Sequence, residues 1–119
     1  MTILLIDDDA AMRAMLTDFL TRRRIAVVAD SNGADALARL DREHVDAVVV
    51  DKEMTGMNGL EVLQVVRRDR PGLPVILITA FGGPRVAQDA IRSGASGYLE
   101  KPFRMHELVA MLRRVGAAC

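Results

Sequence analysis

Five short runs rich in β-branched residues alternate with stretches of helical period, and this alternation predicts an α/β fold of parallel strands joined by crossover helices. Three of the runs are almost continuously Val, Ile and Leu, the pattern of strands covered on both faces. The length, 119 residues with half of them apolar, suits a single domain spanning residues 1–119. A chain of this size buries roughly two thirds of its unfolded surface, enough for a core without metal or disulfide staples.

The first strand is read at Thr2–Ile6, followed by Met12, Met15, Leu16, Phe19 and Leu20, which recur at i, i+3, i+4, i+7 and i+8 as one apolar helical stripe. A second strand, Ala26–Ala29, leads through Ser31-Asn32-Gly33, whose polar side chains suit a helix start, to Ala36, Leu37 and Leu40. The third strand is Ala47–Val50. Asn58, with Glu61 three residues on, forms a capping-box pair ahead of Leu60, Leu63 and Val66. After the fourth strand, Val75–Thr79, Pro84 suits the first position of a helix carrying Val86, Ala87, Ala90 and Ile91, and Gly94 closes it. The fifth strand, Gly97–Leu99, precedes a helix lined by Met105, Leu108, Leu112 and Val115 and ended by Gly116.

Composition removes several classes of function. Sixteen acids balance sixteen bases, so no overall positive field favours nucleic acid. The single cysteine, Cys119, cannot form an internal disulfide or a cysteine-based zinc site. No apolar run approaches the ~18 residues of a membrane span, and no basic leader precedes the first strand, so a cytoplasmic protein without a membrane partner is expected. Three Phe, one Tyr and no Trp leave no stacking platform for single strands. His44 and His106 read as solvated helix residues, Arg22-Arg23-Arg24 as a solvated helix end, and the seven methionines mostly as core filler.

In an open parallel sheet, ligands bind outside the carboxyl ends of the strands, beside the point where strand order reverses. Here those ends carry Asp7-Asp8-Asp9, Asp51, Thr79-Ala80 and, after Glu100, Lys101-Pro102. Alone, Asp7 to Asp9 reads as a helix cap, Asp9 above all, Asp51 as a turn residue, and Thr79 or Lys101-Pro102 as carrying little meaning; together at four neighbouring strand ends they make a cleft. Two carboxylates ~4 Å apart repel by about 1 kcal/mol in water and by several times that at lower dielectric. Lys101 cannot balance three of them. An all-oxygen cluster left open to water suits Mg²⁺, held by Asp8 and Asp51 with Asp7 acting directly or through water.

At this point the sequence resembles the receiver domain of two-component response regulators along its whole length. The blocks are Leu4-Leu5-Ile6-Asp7-Asp8-Asp9, Val48 to Gly59 around Asp51, Val75 to Ala80, and Gly97-Tyr98-Leu99-Glu100-Lys101-Pro102-Phe103. The resemblance implies a doubly wound, flavodoxin-like (βα)5 fold with strand order 2-1-3-4-5. It implies that Asp51 takes a phosphoryl group from a sensor histidine kinase or phosphotransfer protein. Asp7, Asp8, Asp51 and the backbone carbonyl of Glu53 would hold Mg²⁺. Thr79 and Lys101 would bind phosphoryl oxygens, Ala80 would leave room for the group, and Pro102, cis in the family, would fix the turn that aims Lys101. Thr79 and Tyr98 would switch the face made by the fourth helix, fifth strand and fifth helix, through which two copies would pair on phosphorylation. The blocks around Thr79 and Tyr98 look most like receivers attached to transcriptional activators; the residues leave open whether this one stands alone or belongs to a longer protein.

The sequence departs from that pattern in four places. Thr55 replaces the usual proline and is expected to loosen the loop after Asp51. Asn58 stands where aspartate is common and can cap equally well. Arg104 is an unusual cap for the last helix, and Glu53 is a long acid close enough to affect the metal and the hydrolytic water. The alternative enzyme reading is a haloacid dehalogenase-like phosphohydrolase using Asp7, since Asp7-x-Asp9 imitates that nucleophile motif; Glu107 is the only acid after Lys101, where that family needs a pair. A flavin binder of the same fold would need a Ser/Thr/Gly-rich phosphate cradle where three carboxylates stand.

Overall fold

A computed structural model describes residues 1–117, so Cys119 lies outside the described residues. The chain alternates β1 (Thr2–Ile6), α1 (Ala10–Thr21), β2 (Ala26–Asp30), α2 (Gly33–Leu40), β3 (Ala47–Asp51), α3 (Gly59–Asp69), β4 (Val75–Thr79), α4 (Pro84–Arg92), β5 (Gly97–Glu100) and α5 (Met105–Ala117). The strands form one parallel sheet in the order β2-β1-β3-β4-β5. β2, β3 and β5 each run one residue beyond their apolar stretch. Asp30, Asp51 and Glu100 carry the ladder onward opposite Ile6, Ile78 and Thr79.

Side-chain alternation along the strands splits the core into two layers. Leu4, Ile6, Val48, Val50 and Leu77 face α2, α3 and α4 through Ala36, Leu40, Val62, Leu63, Val66 and Ala90. Ile3, Leu5, Val49, Ile76 and Ile78 face α1 and α5 through Leu16, Leu20, Leu108 and Leu112. β1, β3 and β4 are buried along nearly their whole length, as their continuous apolar runs require.

The helix starts follow the sequence signals. Asp9 caps α1 by accepting the Ala11 and Met12 N–H groups, Asn32 caps α2, and Asn58 with Glu61 closes a full capping box on α3. Pro84 opens α4, and Gly94 follows its end at φ 100°, a conformation that favours glycine. At α5, Glu107 accepts the Arg104 N–H at 3.0 Å, which is the N3 half of a capping box; the Arg104 side chain has no oxygen to supply the other half.

Several local expectations need correction. α5 continues through Gly116 to Ala117, one residue past the expected end, and the Met1 methyl occupies the space that a Cβ at Gly116 would need. His44 lies in the loop between α2 and β3, not in a helix, with its ring against Asp46 at 3.1 Å. Met15 and Ile91 are exposed on helices whose stripes were read as apolar. Met1 is exposed too, while the other five methionines are in or against the core.

Arg67, on α3, braces the end of the sheet away from the site. Its guanidinium donates to the carbonyls of Pro71 and Leu73, ahead of β4, and of Gly94, ahead of β5.

Candidate functional site

Strand order reverses between β1 and β3, so the carboxyl ends of these two strands and of β4 form the crevice where ligands bind in such sheets. Asp7 follows β1 and is buried; Asp51 ends β3 and is only 5% exposed; Thr79 ends β4 and is fully buried. Burying two acids at one end of a sheet is costly unless they are hydrogen-bonded or paired. Lys101, just past β5, donates Nζ–H to Asp51 Oδ2 at 2.7 Å. The Glu53 N–H donates to Asp51 Oδ1 at 2.9 Å. Asp7 Oδ1 accepts the Asp9 N–H at 2.9 Å, and the Asp7 carbonyl accepts from Arg13 Nη1 at 2.7 Å.

These environments shift the ionisation of the two groups. Burial pushes the Asp7 carboxyl above its usual range, opposed by the Asp9 N–H and reinforced by the charge of Asp51. Burial alone would lower Lys101, but the hydrogen bond and charge of Asp51 outweigh it and raise the ammonium.

Asp8 is exposed, and its Oδ2 accepts the Thr55 N–H at 3.2 Å. Proline at position 55 would have no such proton, so Thr55 supplies a contact to Asp8 that the usual proline could not. Beside it lies an open groove of about 460 Å³ lined by Asp8, Lys52, Glu53, Met54, Thr55 and Asn58.

Glu53 reaches further than the sequence indicates. Its carboxylate bridges to the end of β4: Thr79 Oγ1–H donates to Oε2 at 2.5 Å, and the Ala80 N–H donates to Oε1 at 2.7 Å. Thr79 Oγ1 in turn accepts the Phe81 N–H at 3.0 Å. Only the length of Glu53 and its position two residues past Asp51 hinted at this reach.

Tyr98 is half-buried in β5, packed at the edge of the α2–α3–α4 layer. Its hydroxyl donates to Glu100 Oε1 at 3.1 Å, and the same oxygen accepts the Gly83 N–H at 2.9 Å, tying β5 to the start of α4. Glu100 was not singled out in the sequence, because an acid at an edge-strand end carries no signal of its own. The Lys101–Pro102 peptide bond is cis.

The donor set fits a hard divalent cation. Asp7, Asp8 and Asp51 offer only oxygens, and the mutual charges on Asp7 are those a cation would relieve. Among the described residues, no three His, Cys, Asp or Glu side chains are gathered closely enough to hold a metal ion, so the fit lies in the chemistry of the donors and not in an assembled site. No helix among them is long and apolar enough to cross a membrane.

An open parallel sheet with acids at its switch point and a lysine paired to the central aspartate places the chain among doubly wound, flavodoxin-like α/β proteins. More narrowly, it belongs to the response regulator receiver domain family, which it matches over residues 3–113. It is 39% identical over 112 residues to the response regulator protein FleR of Pseudomonas aeruginosa, covering 94% of this chain and 24% of FleR. It is 36% identical over 109 residues to the DNA-binding transcriptional regulator NtrC of Escherichia coli, covering 92% of this chain and 23% of NtrC. With the probable transcriptional regulatory protein TcrX of Mycobacterium tuberculosis it shares 34% identity over 119 residues, covering 97% of this chain and 51% of TcrX. The chain thus spans between about a quarter and a half of the length of these relatives. The receiver domain of NtrX from Brucella abortus superimposes with a TM-score of 0.92 at 28% identity, covering 98% of this chain and 99% of that one. A Francisella response regulator receiver domain superimposes at 0.94 with 24% identity, covering 98% and 97%. The comparisons give the dehalogenase-like alternative on Asp7 no support.

Proposed function

We propose that Asp51 is the phosphoacceptor and that residues 1–119 act as one receiver unit in the cytoplasm. The observation that supports this most is the buried Asp51 carboxylate at the end of β3, held by Lys101 at 2.7 Å. Transfer from a phosphohistidine of a sensor histidine kinase or phosphotransfer protein forms a bond between an Asp51 oxygen and phosphorus. The P–N bond breaks, and the imidazole nitrogen keeps the electron pair and takes up a proton. Both reactants are anionic, so the work of this chain is positioning and charge compensation. Lys101 moves from neutralising Asp51 to sharing a phosphoryl oxygen. Thr79 Oγ1–H and the Ala80 N–H, adjacent at the end of β4, are the donors suited to the remaining oxygens, and the small Ala80 side chain leaves the approach open.

Asp7, Asp8, Asp51 and the Glu53 carbonyl would hold Mg²⁺, which when bound supplies positive charge to the carboxylate and phosphoryl oxygens. Signal would leave through Thr79 and Tyr98. A change in what Thr79 binds alters the end of β4, and Tyr98 on the neighbouring strand couples through Glu100 to the start of α4. The output would be the α4–β5–α5 face, with pairing of two copies through it on phosphorylation and no direct contact to nucleic acid by this domain.

Incubation with acetyl phosphate and Mg²⁺ should add one phosphoryl group to the wild type and none to Asp51→Asn, read by intact mass. Full labelling of that variant would remove Asp51 from the assignment.

A further inference from the structure

We infer that Glu53 is an autoinhibitory occupant of the phosphoryl seat: its carboxylate stands in for phosphoryl oxygens on Thr79 and Ala80 and must be expelled before Asp51 can be modified. The inference rests on the reading of Asp51 as phosphoacceptor and adds an occupant to that site.

Two independent donors at the end of β4, one hydroxyl and one backbone amide, converge on the two oxygens of a single side chain, at 2.5 and 2.7 Å. Charge-assisted bonds of this kind are roughly twice as strong as neutral ones. The residue is also anchored from below, since its own N–H binds Asp51 Oδ1 at 2.9 Å. Glu53 therefore spans from the phosphoacceptor to the donors that the phosphoryl group would use. Among the described residues, no buried side-chain nitrogen or oxygen lacks a partner. The protein alone thus satisfies the buried Thr79 hydroxyl, and the bond that satisfies it comes from an anion.

Two consequences follow. An incoming phosphoryl group meets a negative charge in its seat and must displace two bonds, so transfer slows. In addition, Thr79 is already bound to an anionic oxygen in the resting protein, so switching depends on exchanging one anion for another. The displaced carboxylate has somewhere to go. Lys52 Nζ lies 3.9 Å from Glu53 Oε2, and both residues line the open groove beside the site.

The test is the rate at which phosphoramidate labels Asp51 at saturating Mg²⁺ in the wild type, Glu53→Ala and Glu53→Gln, paired with amide NMR of the same proteins without donor or metal. Glu53→Ala should label about tenfold faster or more, given the bonds and charge removed. Glu53→Gln, uncharged and with one accepting oxygen, should fall between; it keeps the side-chain shape should the alanine variant fold poorly. The Ala80 amide resonance should move upfield in Glu53→Ala. Equal or slower labelling of Asp51 in the variants, or an unmoved Ala80 resonance, overturns the role of Glu53 alone. No labelling of any of the three proteins overturns the phosphoacceptor reading itself.

Discussion

The backbone N–H of Thr55 donates to Asp8 Oδ2 at 3.2 Å, joining the loop after β3 to the acidic turn after β1. A metal drawing on Asp8 must share or displace this bond. Thr55→Pro removes the proton while leaving every carboxylate in place, and should tighten Mg²⁺ binding by a factor of about three to five, the equivalent of roughly 1 kcal/mol. Calorimetric titration of Mg²⁺ into the two proteins measures it; weaker binding by the proline variant would mean that this contact pre-orients Asp8.

Asp46 gives a prediction in pH. Its Oδ2 accepts the Thr2 N–H at 2.7 Å, which holds its carboxyl below the ordinary aspartate range against the opposing effect of burial, with His44 adding to the shift. A depressed acid contributes stability above its unfolded value and loses it as pH falls through the folded value. Asp46→Ala should therefore cost about 1 kcal/mol at neutral pH, a figure reduced for the partial exposure of the pair. The deficit should close in acid, where Asp46 is protonated in both states. Urea denaturation of the two proteins across the acidic range gives the comparison.

Tyr98 is the only tyrosine, so its ionisation can be followed by absorbance without interference. Burial raises the phenol first, and the contact with Glu100 raises it further. Its titration midpoint should lie above the ordinary tyrosine value of about 10. Glu100→Gln should bring it part of the way back, since burial persists. A midpoint unchanged by that substitution would remove Glu100 from the environment of the hydroxyl.

The elements were legible because their signals were local. Apolar runs marked the five strands, and Asp9, Asn32, Asn58 and Pro84 marked four helix starts. The site was legible in its residues but not in its bonds. Asp51, Lys101 and Thr79 stand at strand ends, where the topology alone brings them together. The Glu53 carboxylate reaching Thr79 and Ala80 depends on a side-chain path across two strand ends, which no spacing encodes. Thr55 was legible as a missing proline, but the contact its N–H makes to Asp8 was not. The exposure of Ile91 was hidden because a helical stripe shows which residues share a face, not whether that face meets a neighbour.

Arg67 gives the molecule an asymmetry along the strand direction. By clasping three carbonyls from the connections that enter β4 and β5, one guanidinium cross-links the floor of the sheet. At the opposite rim, Glu53, Glu100 and Thr55 hold loops by exchangeable side-chain or amide contacts. Amide protons near the floor should accordingly exchange with deuterium more slowly than those at the rim. Work done at the rim by an arriving anion would then be spent on rearranging loops and helices there, rather than dissipated by loosening the base.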